Sequence, residues 1–163
     1  MKAFREKDSG YLQLQSTRPQ LADYTLADYT LADSLMAQAA WIYDIFNTGT
    51  GATGRPEDAL SRDDMLDEIT LFWLTNTAAS SARIYLEQAE RLGKHNNPGR
   101  VDLPVGVSVF PHDLPAARSR APQVYPQLFY WRELDRGGHF ASLEVPELLT
   151  EELRRCFHSF RDA

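Results

Sequence analysis

The stretch Leu128-Phe-Tyr-Trp-Arg-Glu-Leu-Asp-Arg-Gly-Gly-His139-Phe140 decides the fold. Leu128–Leu134 is an aromatic-rich run of strand length, and the Gly-Gly pair after it permits a tight turn that delivers His139. Upstream, Leu103-Pro-Val-Gly-Val-Ser-Val-Phe110 is a β-branched run followed by Pro-His-Asp113. Pro115, Pro122 and Pro126 punctuate the connection, which has room for a short helix. Glu144 to Phe160 reads as a terminal helix, with Leu148, Leu149, Leu153, Phe157 and Phe160 as its buried face. Strand–helix–strand–helix order implies a parallel pair with a right-handed crossover. Parallel strands share one C-terminal edge, so Asp113 is expected to meet His139 there and orient the imidazole. Such a pair is two thirds of a hydrolytic triad. Each residue also has a plain reading: His139 as a loop histidine, Asp113 as a helix N-cap before Leu114-Pro115. Glu144 is a rival partner, although its place at a helix start favours dipole stabilisation. No nucleophile on a strand-to-helix elbow is found in these 163 residues.

The first hundred residues read as helices and loops. Ala40, Trp41, Ile42, Ile45 and Phe46 give a dense helical pattern over Ala37–Phe46. Asn47-Thr-Gly-Thr-Gly-Ala-Thr-Gly-Arg-Pro56 is a flexible linker by composition. Its Gly49-Thr-Gly51-Ala-Thr-Gly54 matches a dinucleotide-binding string but lacks the preceding strand and following helix that the chemistry needs. Ser61 with Asp64 resembles a capping box and opens a helix carrying Met65, Leu66, Ile69, Phe72 and Trp73. Helix continues from Ala78 to Leu92, and Gly93 with Asn96-Asn-Pro-Gly99 ends it. Near the start, Leu21-Ala-Asp-Tyr-Thr repeats as Leu26-Ala-Asp-Tyr-Thr and again in part as Leu31-Ala-Asp-Ser34. Five extra residues turn a helix by roughly 500°, so its faces fall about 140° out of register. A tandem duplication that bulges or reorients the segment is expected. The pattern divides the chain into a helical region, 1–97, and a strand-bearing region, 98–163.

Composition bounds the function classes. Hydrophobic residues make up 43% and charged residues 25%, the balance of a globular protein. A net charge of −6 gives no reason to expect nucleic-acid or anionic-membrane binding, which cluster Lys and Arg. One cysteine, Cys156, excludes an intrachain disulfide and reads as a buried structural thiol. The N-terminus lacks a signal-peptide core, and no apolar run approaches the roughly 20 residues of a membrane span, so a cytoplasmic location is expected. His95, His112, His139 and His158 lie on different elements without metal-ligand spacing, and no metal site is expected.

Several of these motifs together resemble one family. Phe110-Pro-His-Asp113, Arg136-Gly-Gly-His-Phe-Ala141 and Glu144-Val-Pro-Glu-Leu-Leu149 are similar to the C-terminal signature of α/β-hydrolase epoxide hydrolases of the microsomal-type and bacterial group. Ser9-Gly-Tyr11-Leu-Gln-Leu-Gln15-Ser-Thr-Arg-Pro19 and Ile69-Thr-Leu-Phe-Trp-Leu-Thr-Asn-Thr77, with Ser80-Ser-Ala-Arg-Ile-Tyr85, resemble that family's lid. The resemblance runs from about Ser9 to the C-terminus. It implies the last two parallel strands of an α/β-hydrolase core with flanking helices, plus a mainly helical lid.

In that family an aspartate attacks an epoxide carbon to give an alkyl-enzyme ester, two lid tyrosines hydrogen-bond the oxirane oxygen, and a His–carboxylate pair activates water to release a vicinal diol. Carried over, the tyrosines are Tyr11 and Tyr85, the general base is His139 and its acid partner is Asp113. Trp73, Phe110 and Phe140 are the expected substrate-pocket residues. A phenol with a pKa of about 10 stays protonated at neutral pH and can donate to an alkoxide-like oxygen. The resemblance implies no cofactor, a small-molecule epoxide substrate, a detoxification role and an upstream half-protein as the possible partner, with oligomeric state left open.

Departures accompany it. The family's Gly-rich elbow carrying the nucleophilic aspartate and its oxyanion-hole segment have no counterpart here, so the chain is expected to be inactive alone. The strand Leu103–Phe110 should present an unpaired edge. The duplicated segment replaces a shorter lid connection and puts pocket shape in question. Alternatives are a noncatalytic remnant or binding protein that reuses a helical lid, or another α/β-hydrolase such as an esterase or a dehalogenase. Paired tyrosines argue against a dehalogenase, which needs halide donors.

Overall fold

The computed structural model describes residues 15–17, 34–51, 55–94 and 99–160. Tyr11, most of the five-residue repeat and His95 lie outside the described residues. Two compact units form: Met1–Thr48 with Ser61–Pro98, and Gly49–Leu60 with Gly99–Ala163. The Gly-rich stretch therefore clusters with the strand-bearing unit.

The first unit is helical. Helix α1 (Leu35–Gly49) buries Gln38, Ile42 and Phe46, a stripe at four-residue spacing on one helical face. Helix α2 (Arg62–Thr75) starts where the sequence indicates: the Ser61 Oγ accepts the Asp64 N–H at 3.1 Å and donates to Asp64 Oδ2 at 2.6 Å. Unlike a full capping box, the carboxylate closes on the hydroxyl, because Asp is too short to reach back to the cap's own N–H. Met65 and Ile69 are its buried residues. Asn76 ends α2 in the left-handed region (φ 50°), which asparagine tolerates better than other side chains with a Cβ, and its N–H returns to Phe72 and Trp73 carbonyls. Helix α3 (Ala78–Lys94) follows after Thr77 and buries Ala82. None of the described helices is long and apolar enough to cross a membrane.

The second unit carries the sheet. Strands β1 (Val105–Val109) and β2 (Leu128–Glu133) pair in parallel, with Val107 opposite Trp131 and Val109 opposite Glu133. Among the described residues β1 pairs with β2 alone. The short helix α4 (Ala121–Val124) connects them, with proline in its first turn where a missing N–H is harmless. Helices α5 (Ala141–Glu144) and α6 (Pro146–Phe157) replace the single terminal helix expected from the sequence, since Pro146 opens a new first turn and a 3-10 turn, His158–Phe160, closes the end.

The buried face of α6 also differs from expectation. Glu152 and Cys156 are its buried residues, whereas Leu153, Phe157 and Phe160 are about half exposed, at 51, 53 and 50%. What turns the helix is the Glu152 carboxylate, 1% exposed. Its Oε2 accepts the Tyr130 hydroxyl at 2.7 Å and the Ser108 hydroxyl at 3.2 Å, while Arg132 donates to Oε1. Tyr130 and Arg132 alternate along β2 and so share one face of the sheet. A buried carboxylate needs these donors, and satisfying it outweighs burying the leucine–phenylalanine stripe. Phe160 instead packs edge-on against Phe129, with centroids 5.0 Å apart.

Two predictions follow from this layer. A Cβ on Gly106 of β1 would collide with the Cys156 sulfur. Gly106→Ala should destabilise the unit by about 1–3 kcal/mol in urea titration, and adding Cys156→Ala should recover much of the loss. The second concerns alkaline pH. Burial, then the hydrogen bond to Glu152, holds the Tyr130 phenol above its ordinary 10.0. Burial, with the Glu152 charge nearby, holds the Cys156 thiol above 9.0. Both groups bind protons more tightly in the folded state, so their stabilisation is complete below the unfolded values and disappears as pH climbs through the raised folded ones. Thermal melts from pH 8 to 11 should show midpoints falling above about pH 9, with a shallower fall in the Tyr130→Phe, Cys156→Ala double variant.

Candidate active site

Beyond the paired strands the two segments stay in register. The His112 N–H donates to the Gly137 carbonyl at 3.3 Å, and His112 forms a parallel bridge with Gly138. The residues that follow, Asp113 and His139, are thereby brought side by side. His139 Nδ1 lies 2.9 Å from Asp113 Oδ1. An ionised carboxylate only accepts, so Nδ1 carries the proton and donates, leaving the Nε2 lone pair as a base. Asp113 is itself fixed, since its Oδ1 also accepts the Leu114 N–H at 2.7 Å.

The imidazole is 58% exposed and the carboxylate 36%. At that exposure the pair contributes at most about 1 kcal/mol to stability. Its value is orientation: the geometry presents a base of fixed tautomer to water.

The backbone of this turn is clamped on both sides. The His139 N–H donates to the Gly49 carbonyl at 2.9 Å, and the Phe140 N–H donates to Glu144 Oε1 at 3.0 Å. Glu144 thus braces the turn rather than pairing with His139. Nor is Gly49 part of a free linker: it is the last residue of α1, and its orphan carbonyl takes the His139 amide. Sequence offered little signal for that clamp.

Both glycines before His139 are required, for different reasons. Gly137 sits at φ +95°, where its neighbours Phe110 and Val145 would also meet a Cβ at 2.8 Å. At Gly138 a Cβ would stand 2.6 Å from the Gly49 carbonyl oxygen and 2.9 Å from Glu144 Oε1. Gly138→Ala must displace one of the two clamps. Hydrogen exchange should show the His139 and Phe140 amides losing protection in that variant, with about 1–3 kcal/mol of stability lost.

The other expected site residues fall as follows. Phe110 packs against the Gly137 turn, and the Phe140 ring stands edge-on to the His139 imidazole, centroids 5.2 Å apart at 87°. Tyr85 lies in the helical unit, where it lines a pocket of about 240 Å³ with Trp41, Ile42 and Phe72 among its walls. Trp73, the neighbour of Phe72, is half-buried on α2. Tyr11 is outside the described residues. Gln15, which no sequence argument singled out, also lines the Tyr85 pocket.

No protein-family model matches the chain. Over 160 residues it is 55% identical to the "Putative epoxide hydrolase" of Stigmatella aurantiaca, covering 98% of this chain and 34% of that protein. It is 35% identical over 159 residues to epoxide hydrolase 1 of Sus scrofa, covering 91% of this chain and 34% of the relative. The chain spans about a third of the length of these relatives. Among solved structures, the juvenile hormone epoxide hydrolase of the silkworm Bombyx mori superimposes with a TM-score of 0.82 at 25% identity, over 99% of this chain and 42% of that one. The Aspergillus niger epoxide hydrolase gives 0.78 at 28% identity, over 97% of this chain and 37% of that one.

Proposed function

From a chain related by sequence and by fold to α/β-hydrolase epoxide hydrolases over part of their length, we infer a role in hydrolysing epoxides to vicinal diols. The observation that carries this reading is the Nδ1–Oδ1 contact of 2.9 Å between His139 and Asp113 at the ends of two parallel strands. In the resemblance the reaction has two steps. A carboxylate attacks an oxirane carbon, the carbon–oxygen bond breaks, and a tyrosine hydroxyl donates to the departing oxygen. Water then adds to the ester carbonyl while His139 Nε2 takes its proton, and collapse returns the carboxylate and frees the diol.

This chain supplies the second step. Asp113 holds the proton on Nδ1 and stabilises the imidazolium that forms. Tyr85, with Tyr11, is assigned to the oxirane oxygen. The nucleophilic carboxylate is assigned to a segment outside these residues. Purified chain incubated with styrene oxide should form no diol above the uncatalysed rate. Supplying the missing strands and elbow as a second polypeptide should give diol formation that His139→Ala abolishes. His139-dependent diol formation by the chain alone would overturn the division of labour.

A further inference from the structure

The Tyr85 pocket holds a polar group that the reaction as outlined does not use. Gln15 is only 7% exposed, and it lines the same cavity as Tyr85. Its Oε1 is buried without a hydrogen-bond partner among the described residues. Buried amide oxygens are rarely left unpaired, because desolvation without a donor costs free energy. Where one persists in a pocket wall, the donor comes from water or from what the pocket binds, and a ligand hydroxyl can take the water's place.

The polarity of the group narrows that ligand. An oxirane oxygen has lone pairs and no proton, so it can pair with the Tyr85 hydroxyl but not with a carbonyl oxygen. Once the ring opens, the same oxygen becomes a hydroxyl and gains a donor. Trp41, Ile42 and Phe72 offer it a ring N–H or hydrocarbon and no acceptor, whereas Gln38 and Ser81 also line the cavity and the Ser81 hydroxyl donates to the Ala78 carbonyl at 2.8 Å. Of the lining side chains, only Gln15 presents a buried polar atom without a partner among the described residues. We propose that Gln15 is a second polar anchor of this pocket, accepting a hydrogen bond from a hydroxyl of the ring-opened hydroxy-ester and diol. The pocket then discriminates by proton content: Tyr85 donates to the closed epoxide, Gln15 accepts from the opened one. Its ligand class is a compact apolar arm bearing a vicinal hydroxyl. This rests on reading the Tyr85 pocket as the epoxide pocket.

Binding to the full chain tests it without turnover. The probes are 1-phenylethane-1,2-diol, styrene oxide and ethylbenzene, which share an aryl arm and differ in hydroxyl content. Ligand-observed NMR titration should show the diol binding about tenfold more tightly than either donor-free probe, the ratio expected for one hydrogen bond to a buried acceptor. Gln15→Leu should abolish that advantage while leaving ethylbenzene binding unchanged or stronger. Because it removes an unpaired polar atom, the same variant should melt at or above the parent midpoint. Gln15→Met, unbranched and close in volume, should behave alike if leucine disturbs packing.

Equal binding of diol and hydrocarbon, or a diol preference that survives both variants, would overturn the proposal. So would a lowered midpoint in both, since that would show Oε1 already paired within the fold. Tighter binding of styrene oxide than of diol would mean that the amide presents its nitrogen, and would overturn it too. Failure of the epoxide hydrolase reading shows up separately, as absence of His139-dependent diol formation in the complemented enzyme. Binding of none of the three probes removes the pocket assignment itself.

Discussion

Asp113→Asn is expected to lower diol release by the complemented enzyme about 10³- to 10⁴-fold, with the first, ester-forming step unchanged. The carboxylate does two things at 2.9 Å from Nδ1. It admits only the tautomer with a lone pair on Nε2, and in the proposed reaction its charge would stabilise the imidazolium formed as water is deprotonated. An asparagine amide carries no charge, and its N–H group can donate to Nδ1, placing the proton on Nε2 where it blocks base catalysis. The pair is exposed enough, at 58 and 36%, that the loss should not reflect unfolding, and the variant's urea midpoint should stay within about 1 kcal/mol of the parent. His139→Ala should be at least as severe. A change of less than tenfold in Asp113→Asn would show that another acid orients the base, with Asp135 and Glu144 the nearest in sequence.

Glu152→Ala is expected to produce the largest stability loss, about 3 kcal/mol in urea titration. The side chain is 1% exposed and gathers Tyr130, Ser108 and Arg132 from both strands onto α6. Removing it leaves two hydroxyls without an acceptor and a cavity where the carboxylate stood. Arg132, 38% exposed, can turn partly to water, which keeps the figure below that of a fully buried charge left alone. Glu152→Gln preserves one acceptor and should lose about half as much. A triple replacement, Glu152→Leu with Arg132→Met and Tyr130→Phe, should recover much of the stability, because apolar groups of similar shape need no partners. A loss under about 0.5 kcal/mol in Glu152→Ala would contradict the network's role.

The sequence made the placement of the candidate pair legible where local patterns and motif coincide. Two short β-branched or aromatic runs, each followed by a turn, sufficed to place Asp113 beside His139, because parallel strands share an edge. The Ser61 cap and the prolines around Ala121–Val124 were legible for the same reason: their geometry is encoded within a few residues. What stayed hidden depends on residues far apart in the chain. Apolar spacing selected the Leu153–Phe157–Phe160 face of α6, but the face actually buried is chosen by Glu152, whose partners lie 20 to 44 positions away. The Leu148–Glu152–Cys156 stripe was visible, yet a charge in it reads as solvated until Tyr130 and Arg132 are known to face it. The Gly49 carbonyl was invisible on principle, since glycine advertises freedom and the bond uses only backbone. Gln15 was passed over because an amide among helical residues signals nothing until its surroundings are seen to be dry.

The central claim, that these residues supply the water-activating half of a two-step ester mechanism, is tested most directly by mass spectrometry of the complemented enzyme carrying His139→Ala after exposure to styrene oxide. The expected result is a stable covalent adduct, one epoxide in mass, on the polypeptide that supplies the nucleophile, with no diol released. Diol formation at the parent rate with no adduct would contradict it.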